Sequence, residues 1–475
     1  MPEVEPVQSQ RVVSKLSGYP QSAQRHRKSL ALAAVCLGSF MTMLDGSAVN
    51  IALPAIQRDV HGSISSVQWV LSAYTIPVAS LLLTAGDLAD RLGARRLFGW
   101  SLGLFTLASL LCALSPTLTL LLAARTLQGI MAGGLLPTTL AIVTRTYADP
   151  VERARAITVW GATGAVALVI GPVGGGLLTD AFGWRSIFLI NVPVGLATLA
   201  LATRSIAETA RRHSRSVDVA GQLSGVLALA SLVAALIEGG ERGWSTPPST
   251  VLLITAGAGI VAFVLIEHRS SHPALPPAMF RQPAFTASVV SGFAYQFGSF
   301  GLQFMLANYL QERWRLSAAH TGWLFLPFSV SGLIGILVLN RRLIHRGPRW
   351  LLWTGASTAL LGALILLPVS GPASWPALIA GSTLIGLGCG VFAPSINVAT
   401  MMSIEPEFAG LGSGVLNTAR QIGMAIGVAL LGAFIGMPDA LLGLRWCLGL
   451  IALCFLLILL LSLRYAPRTA AEHGR

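Results

Sequence analysis

Charge is what this chain has least of. Asp, Glu, Lys and Arg make up 11% of its 475 residues, against roughly 25% in an average soluble domain. So few charges cannot cover a water-exposed globule of this length. With 54% hydrophobic residues and a mean hydropathy of +0.71, lipid is the natural solvent. Cysteine is sparse as well. Cys36, Cys112, Cys389, Cys447 and Cys454 all lie inside apolar runs, none at metal-ligand spacing, which argues against a metal framework and reads as small buried hydrophobes. The eight His are scattered, mostly in polar connectors. There is no P-loop, no nucleophile elbow and no long polar segment apart from the two ends. The chain is therefore expected to be neither an enzyme nor a cofactor or metal carrier. No cleavable signal peptide is visible. The first 28 residues are polar, with Arg11, Lys15, Arg25, Arg27 and Lys28 ahead of the first apolar run, which reads as a disordered cytoplasmic tail before a helix that stays in the membrane.

What is present is a series of apolar runs of bilayer length, about 20 residues each. Fourteen are expected, at approximately 30–53, 68–86, 97–115, 117–141, 156–178, 186–203, 219–237, 250–267, 285–308, 322–340, 351–369, 376–400, 412–435 and 441–463. Fifty glycines suit membrane helices. The net charge of +13 invites a nucleic-acid reading, but the basic residues form short clusters between apolar runs, with no basic groove and interleaved aromatics. With the N-terminus inside, twenty-four of the 32 Lys and Arg fall in cytoplasmic tails and loops and six outside. That asymmetry places both termini in the cytoplasm. Trp69, Trp184, Trp244, Trp323, Trp350 and Trp375 near span ends read as an aromatic belt.

The sequence GDLADRLGARR (Gly86 to Arg96) after span 2 and LNRRLIHRGPR (Leu339 to Arg349) after span 10 are both basic, glycine-containing turns between a second and a third helix. They point to an internal repeat of six-helix units, spans 1–6 and 9–14, with spans 7 and 8 inserted. The expected division is a tail at 1–28, a six-helix bundle at 29–203, a two-helix linker at 204–284, a second bundle at 285–463 and a tail at 464–475.

Asp45, in LDGSAVNIALP of span 1, is the carboxylate clearly within a span; Glu238 and Glu267 lie near span ends. A buried carboxylate is costly unless paired or neutralised, which suits it to carry a proton when access alternates; the other role open to it is a fixed helix–helix hydrogen bond. Arg125, in LLAARTLQGIMAGG of span 4, must find an acceptor and lies at a depth compatible with Asp45, with Gln128 one turn on. Their pairing would be either a switch or a static bridge. In the loop after span 2, Gly86, Asp90, Arg91, Gly93, Arg95 and Arg96 form a candidate latch, Asp90 meeting a helix N-terminus of the other half. Span 5 carries GATGAVALVIGPVGGGLL. Pro172 bends that helix, and Gly164, Gly171, Gly174 and Gly175 leave a face for close packing. That face suits a sliding interface or ordinary helix contact. Asn417, Arg420 and Gln421 share one face of span 13 and are candidates for lining the path or for a buried network; Gln296 and Gln303 of span 9 are further candidates of the same kind.

Taken together, DRLGARR, RTLQG and GPVGGG resemble the major facilitator superfamily, and the span 5 motif resembles its drug:proton antiporter branch. LDGSAVNIALP, GWRSIFLINVPVG (Gly183 to Gly195) and fourteen spans look like its fourteen-helix EmrB/QacA-type efflux family. The resemblance covers residues 30–463. It implies an all-α major facilitator fold, two six-helix bundles plus two helices, with a site between the halves at mid-membrane. It assigns proton coupling or cation recognition to Asp45, the span 4 arginine to Arg125, the latch to Gly86, Asp90 and Arg91, and the antiporter motif to Gly171, Pro172, Gly174 and Gly175. Ala94 departs from the Arg usual after the loop glycine, with Arg95 and Arg96 beside it, and RGPR lacks the Asp-Arg pair of the first copy. Additional mid-span acids of some cation exporters are missing, which counts against dications. The expected function is export of amphipathic drugs, antibiotics or a secreted metabolite in exchange for protons. Its partners are the small molecule, protons and lipid but not nucleic acid, and it is expected to work as a monomer in the inner membrane, driven by the proton gradient without a cofactor. The alternative on the same fold is proton-coupled uptake of a nutrient.

Overall fold

A computed structural model describes residues 21–82, 85–207, 219–270, 277–405 and 408–466. The major helices in the N-terminal part are α1 (Gln21–Asp59), α2 (Ile64–Leu81), α3 (Ala85–Leu92), α4 (Ala94–Leu114), α5 (Leu118–Thr146), α6 (Pro150–Phe182), α7 (Arg185–Leu189) and α8 (Asn191–Ser205). Two more, α9 (Val219–Arg242) and α10 (Pro247–Arg269), follow. The C-terminal part comprises α11 (Pro283–Glu312), α12 (Ala318–Leu324), α13 (Leu326–Ile334), α14 (Asn340–Leu343), α15 (Pro348–Leu366), α16 (Trp375–Met402), α17 (Ala409–Ile435) and α18 (Ala440–Tyr465). Among the described residues there is no strand.

Thirteen helical segments of the described residues are long and apolar enough to cross a membrane. The remaining expected span, the ninth, is α11. It is a helix of 30 residues that carries Gln296, Gln303, Asn308 and Gln311, and twenty-one of its residues are buried. Its position at the centre of the bundle explains its polarity: it faces other helices more than lipid. The helix of the first span begins at Gln21, inside the segment expected to be a tail.

Three interruptions follow local chemistry. Residues 86–92, expected as the start of a loop, belong to the short helix α3. The turn itself is confined to Gly93, whose φ of 89° favours glycine. Gly347 adopts the same kind of backbone, φ 87°, immediately before α15, so the two basic loops share a turn despite their eroded similarity. Span 10 is broken between α12 and α13 next to Pro327, which has no N–H to donate, and continues through a π turn at Gly335–Leu339. Span 6 is broken between α7 and α8, where Pro193 cannot bond the carbonyl of Leu189.

Helix packing repeats. α1 packs on α5, α6 and α8, and α4 packs on α5 and α8; likewise α11 packs on α16, α17 and α18, and α15 packs on α16 and α18. The two sets meet where α6 crosses α12 and where α2 crosses α17, and α9 leans on α2 and α17 with α10 outside it. The seam is closed at the end opposite Gln21 of α1 and Tyr465 of α18, called here the far end. Gly176 of α6 lies against the backbone of Ala318, and Gly322 against the carbonyl of Pro172. The Asp180 carboxylate accepts from the backbone N–H groups of Ala318 and Ala319 at 3.1 and 2.9 Å. On the other side of the seam Gln68 Nε2 donates to the carbonyls of Val428 and Ala429 at 3.1 and 2.6 Å, and Gln311 Nε2 to that of Ile51 at 2.9 Å. Toward the terminal end α6 is exposed around most of its circumference, and nothing stands within 4 Å of where a side chain would begin at Gly161 or Gly164.

Candidate functional site

The site is built on α1 and α5. The Thr117 side chain accepts from Leu120 N–H and so sets the start of α5. From there Arg125 and Gln128 fall three residues apart on one face, turned toward α1. Arg125 is completely buried and Asp45 is 1% exposed. Arg125 Nη1 stands 2.5 Å from Asp45 Oδ2 and donates to Gln128 Oε1 at 2.9 Å. Its Nε donates to the carbonyl of Val70 at 3.2 Å. The guanidinium carbon lies 4.4 Å from the centroid of the Tyr74 ring and 5.6 Å from that of Phe188, a favourable place for a cation.

The second carboxylate oxygen, Asp45 Oδ1, accepts from Asn191 Nδ2 at 3.2 Å and from Gln128 Nε2 at 3.4 Å. Ser109 Oγ accepts from Gln128 Nε2 at 2.7 Å and from Asn191 Nδ2 at 3.5 Å, and Cys112 donates to Gln128 Oε1 at 3.3 Å. The break before α8 sets Asn191 at the first position of the new helix, where it reaches the acid. Side chains of α5 and α8 thus converge on one carboxylate of α1, and Ser109 and Cys112 of α4 hold their amides from behind. The arrangement holds a buried anion by one full opposite charge and two amides. A proton added to Asp45 would cancel the ion pair and leave Arg125 on neutral acceptors.

A small pocket adjoins the pair, lined by Asn50, Tyr74, Thr75, Phe300, Met424 and Val428 among others, with a volume of about 10 Å³, room for roughly one water-sized group. Arg125 Nη2, Asn50 Oδ1 and Thr75 Oγ1 are buried without a hydrogen-bond partner among the described residues. The pocket lies between helices of both sets, α1, α2 and α5 on one side and α11 and α17 on the other.

The span 5 glycines divide by helical spacing. Gly171 and Gly175 lie against Ser47 and Ala48 of α1, two to three residues from Asp45, and Pro172 and Gly176 lie against α12. One turn of α6 therefore touches both the carboxylate helix and the far-end seal. Gly174 has only Ile170 of its own helix nearby, and Gly164 nothing, so these two are outside the contact. In the candidate latch, Arg95 Nη2 donates to the carbonyl of Thr203 at 3.0 Å; the surroundings of Gly86 and the side chains of Asp87 and Asp90 lie outside what the structure describes. Of the path candidates, Gln303 bonds the Ser299 carbonyl at 3.4 Å and Asn417 that of Ser413 at 3.0 Å, both within their own helices, while Gln296 is half-buried. Arg420 leaves its helix to donate to the Ala393 carbonyl at 3.1 Å, and Gln421 Oε1 is buried without a partner.

Asn191, Ser109 and Tyr74 are the parts of the site that sequence reasoning does not single out. Asn191 had a signal, as the one polar residue in the apolar run FLINVPV (Phe188 to Val194). A lone Ser or Tyr in a membrane helix carries none.

The family model described as Major Facilitator Superfamily matches residues 35–287 and 288–475. A multidrug resistance protein, Stp, of Mycobacterium tuberculosis is 35% identical over 404 residues, covering 85% of this chain and 75% of that protein. A methylenomycin A resistance protein of Streptomyces coelicolor is 35% identical over 403 residues, 84% of each. A puromycin resistance protein of Streptomyces alboniger is 37% identical over 412 residues, 85% of this chain and 81% of the relative. Among solved structures, a nucleoside transporter, NupG, superposes with a TM-score of 0.64 at 12% identity, over 91% of this chain and 99% of the other, a likeness of fold.

Proposed function

The chain belongs to the major facilitator superfamily, and from that premise we propose that it exports small amphipathic molecules, whether drugs, antibiotics or a secreted metabolite, in exchange for protons by alternating access. It is a multi-pass membrane transporter and not an enzyme. The observation that carries the proposal is the buried Asp45–Arg125 pair, a titratable group on the helix that α6 grips with Gly171 and Gly175. Relatives named for resistance to antibiotics support the outward direction.

In this reading both termini face the cytoplasm, as the basic loops indicate, and the membrane is the inner one. The far end is then the outer face, and the structure is the inward-facing state. Residues 29–203 and 285–463 are the two moving halves, and 204–284 supplies the two extra helices. Gly86, Asp90, Arg91, Gly93, Arg95 and Arg96 form the cytoplasmic latch. The single chain is the working unit, and the proton gradient takes the place of any cofactor.

Efflux tests this directly. Cells expressing the chain and loaded with a panel of dyes and antibiotics are expected to retain at least about threefold less of some members than cells without it, and a protonophore should remove the difference. Equal retention across the panel, or greater accumulation in expressing cells, contradicts export.

A further inference from the structure

Arg420 has no counter-ion among the described residues. Its Nη2 donates to a backbone carbonyl, that of Ala393, at 3.1 Å. Its guanidinium carbon lies 5.7 Å from the centroid of the Tyr295 ring. Its Nε is buried and has no hydrogen-bond partner. Among the described residues no carboxylate stands within salt-bridge distance of it. Asp45, the acid deep in a span, is taken by Arg125. Arg420 is half-buried at this depth; a charge in low dielectric is costly unless an opposite charge comes to it, and arginine cannot discharge itself.

The place matters as much as the charge. Arg420 lies roughly 16 Å from the terminal end of α17 by the 1.5 Å rise per residue, too deep for a lipid headgroup. Met424 is one turn further on the same face and lines the pocket beside Arg125 Nη2. Met424, Phe300 and Val428 line that pocket together with Asn50, Thr75 and Arg125, so a molecule held at Arg420 has apolar side chains on its deeper side, while the pocket itself, at about 10 Å³, admits no more than a water-sized group.

We infer that Arg420 seats the anionic group of the transported molecule, and that the substrate class is an amphipathic organic monoanion such as a carboxylic acid. The inference rests on the export reading for the direction of travel but not for the binding itself. Two arginines and one aspartate in the deep path leave one positive charge over, which attracts one oxyanion and repels cations. The open Nε beside Nη2 presents the planar edge that guanidinium uses for carboxylates.

The experiment is binding to the purified full chain in detergent of two fluorescent probes that differ at one group, dansylglycine and its uncharged amide, dansylglycinamide. The wild type is expected to bind the acid at least about tenfold more tightly than the amide, as a charge-assisted pair implies. Arg420→Gln should lower affinity for the acid by at least about tenfold and leave the amide within about twofold, while Arg420→Lys should keep most of the preference. A wild type that binds the acid no better than the amide overturns the inference, as does an Arg420→Gln protein that binds the acid as the wild type does. The wild-type comparison decides the matter even where a variant fails to fold. Gradient-driven efflux without the preference for the acid sinks the anion site and spares export; the preference without gradient-driven efflux does the reverse.

Discussion

Replacing Asp45 with Asn is expected to abolish proton-driven export while leaving a folded protein in the membrane. The amide keeps the shape of the side chain, and its oxygen still accepts from Arg125 Nη1. It cannot bind and release a proton. Arg125 meanwhile keeps Gln128 Oε1, the Val70 carbonyl and the Tyr74 ring as partners, so the network loosens without emptying. Losing one member of a buried ion pair costs about 3–5 kcal/mol when the partner charge is stranded; with these neutral partners in place the cost should fall toward the lower figure. The double replacement Asp45→Asn with Arg125→Gln removes the stranded charge. It should recover most of the thermal stability lost by the single variant, yet remain at least about a hundredfold below wild type in gradient-driven transport. Separating stability from transport in this way distinguishes a proton carrier from a static bridge. If the double variant transports in response to a pH gradient, Asp45 is structural. The measurement pairs thermal unfolding in detergent with gradient-driven flux in vesicles.

Replacing Gly176 with Leu is expected to force the far-end seal open. A side chain there would overlap the carbonyl of Ala318, where α6 and α12 meet backbone to backbone. Interfaces of this kind have two arrangements rather than a continuum, so the wedge should shift the population instead of merely deforming the contact. A tenfold shift requires only about 1.4 kcal/mol, well within what a backbone overlap imposes. The readout is a cysteine at position 50, buried at the pocket, in a chain whose native cysteines have been replaced. A membrane-impermeant maleimide added from the outer face should label Asn50→Cys at least about tenfold faster when Gly176→Leu is also present. Unchanged labelling would mean that the α6–α12 contact does not govern access at that end. Asp180→Ala, which removes the carboxylate from the N–H groups of Ala318 and Ala319, should act in the same direction with a smaller effect.

How much of this was legible in the sequence depends on the kind of feature. Long apolar runs and the placement of Lys and Arg point to the helices, because lipid forces the backbone to satisfy itself within each span. The meeting of Asp45 with Arg125 and Gln128 was legible too, since a buried charge must be answered and the two lie at similar depth. The ninth span was recognisable although α11 is comparatively polar, because its apolar residues still run the length of a bilayer. The breaks beside Pro193 and Pro327 had a local signal in the prolines, but the consequence, Asn191 turned onto the carboxylate, belongs to three dimensions. The span 5 motif was legible as a packing face, yet Gly164 and Gly174 lie outside the contact. Spacing of four joins Gly171 to Gly175 and Pro172 to Gly176, and a list of glycines does not reveal which pair faces which neighbour. The far-end clasp by Asp180 left no trace in the sequence at all: one acid near a span end is indistinguishable from an exposed one until α12 is placed against it.

The claim at the centre is that protons carried by Asp45 move inward as substrate moves outward. The measurement that tests it most directly uses the purified chain in vesicles enclosing a pH-sensitive dye, with an exported compound from the efflux panel added on one side and no pH gradient imposed. Protons should move opposite to the compound, and the Asp45→Asn variant should show no such movement. A compound that crosses with no proton movement, or with protons travelling alongside it, contradicts exchange.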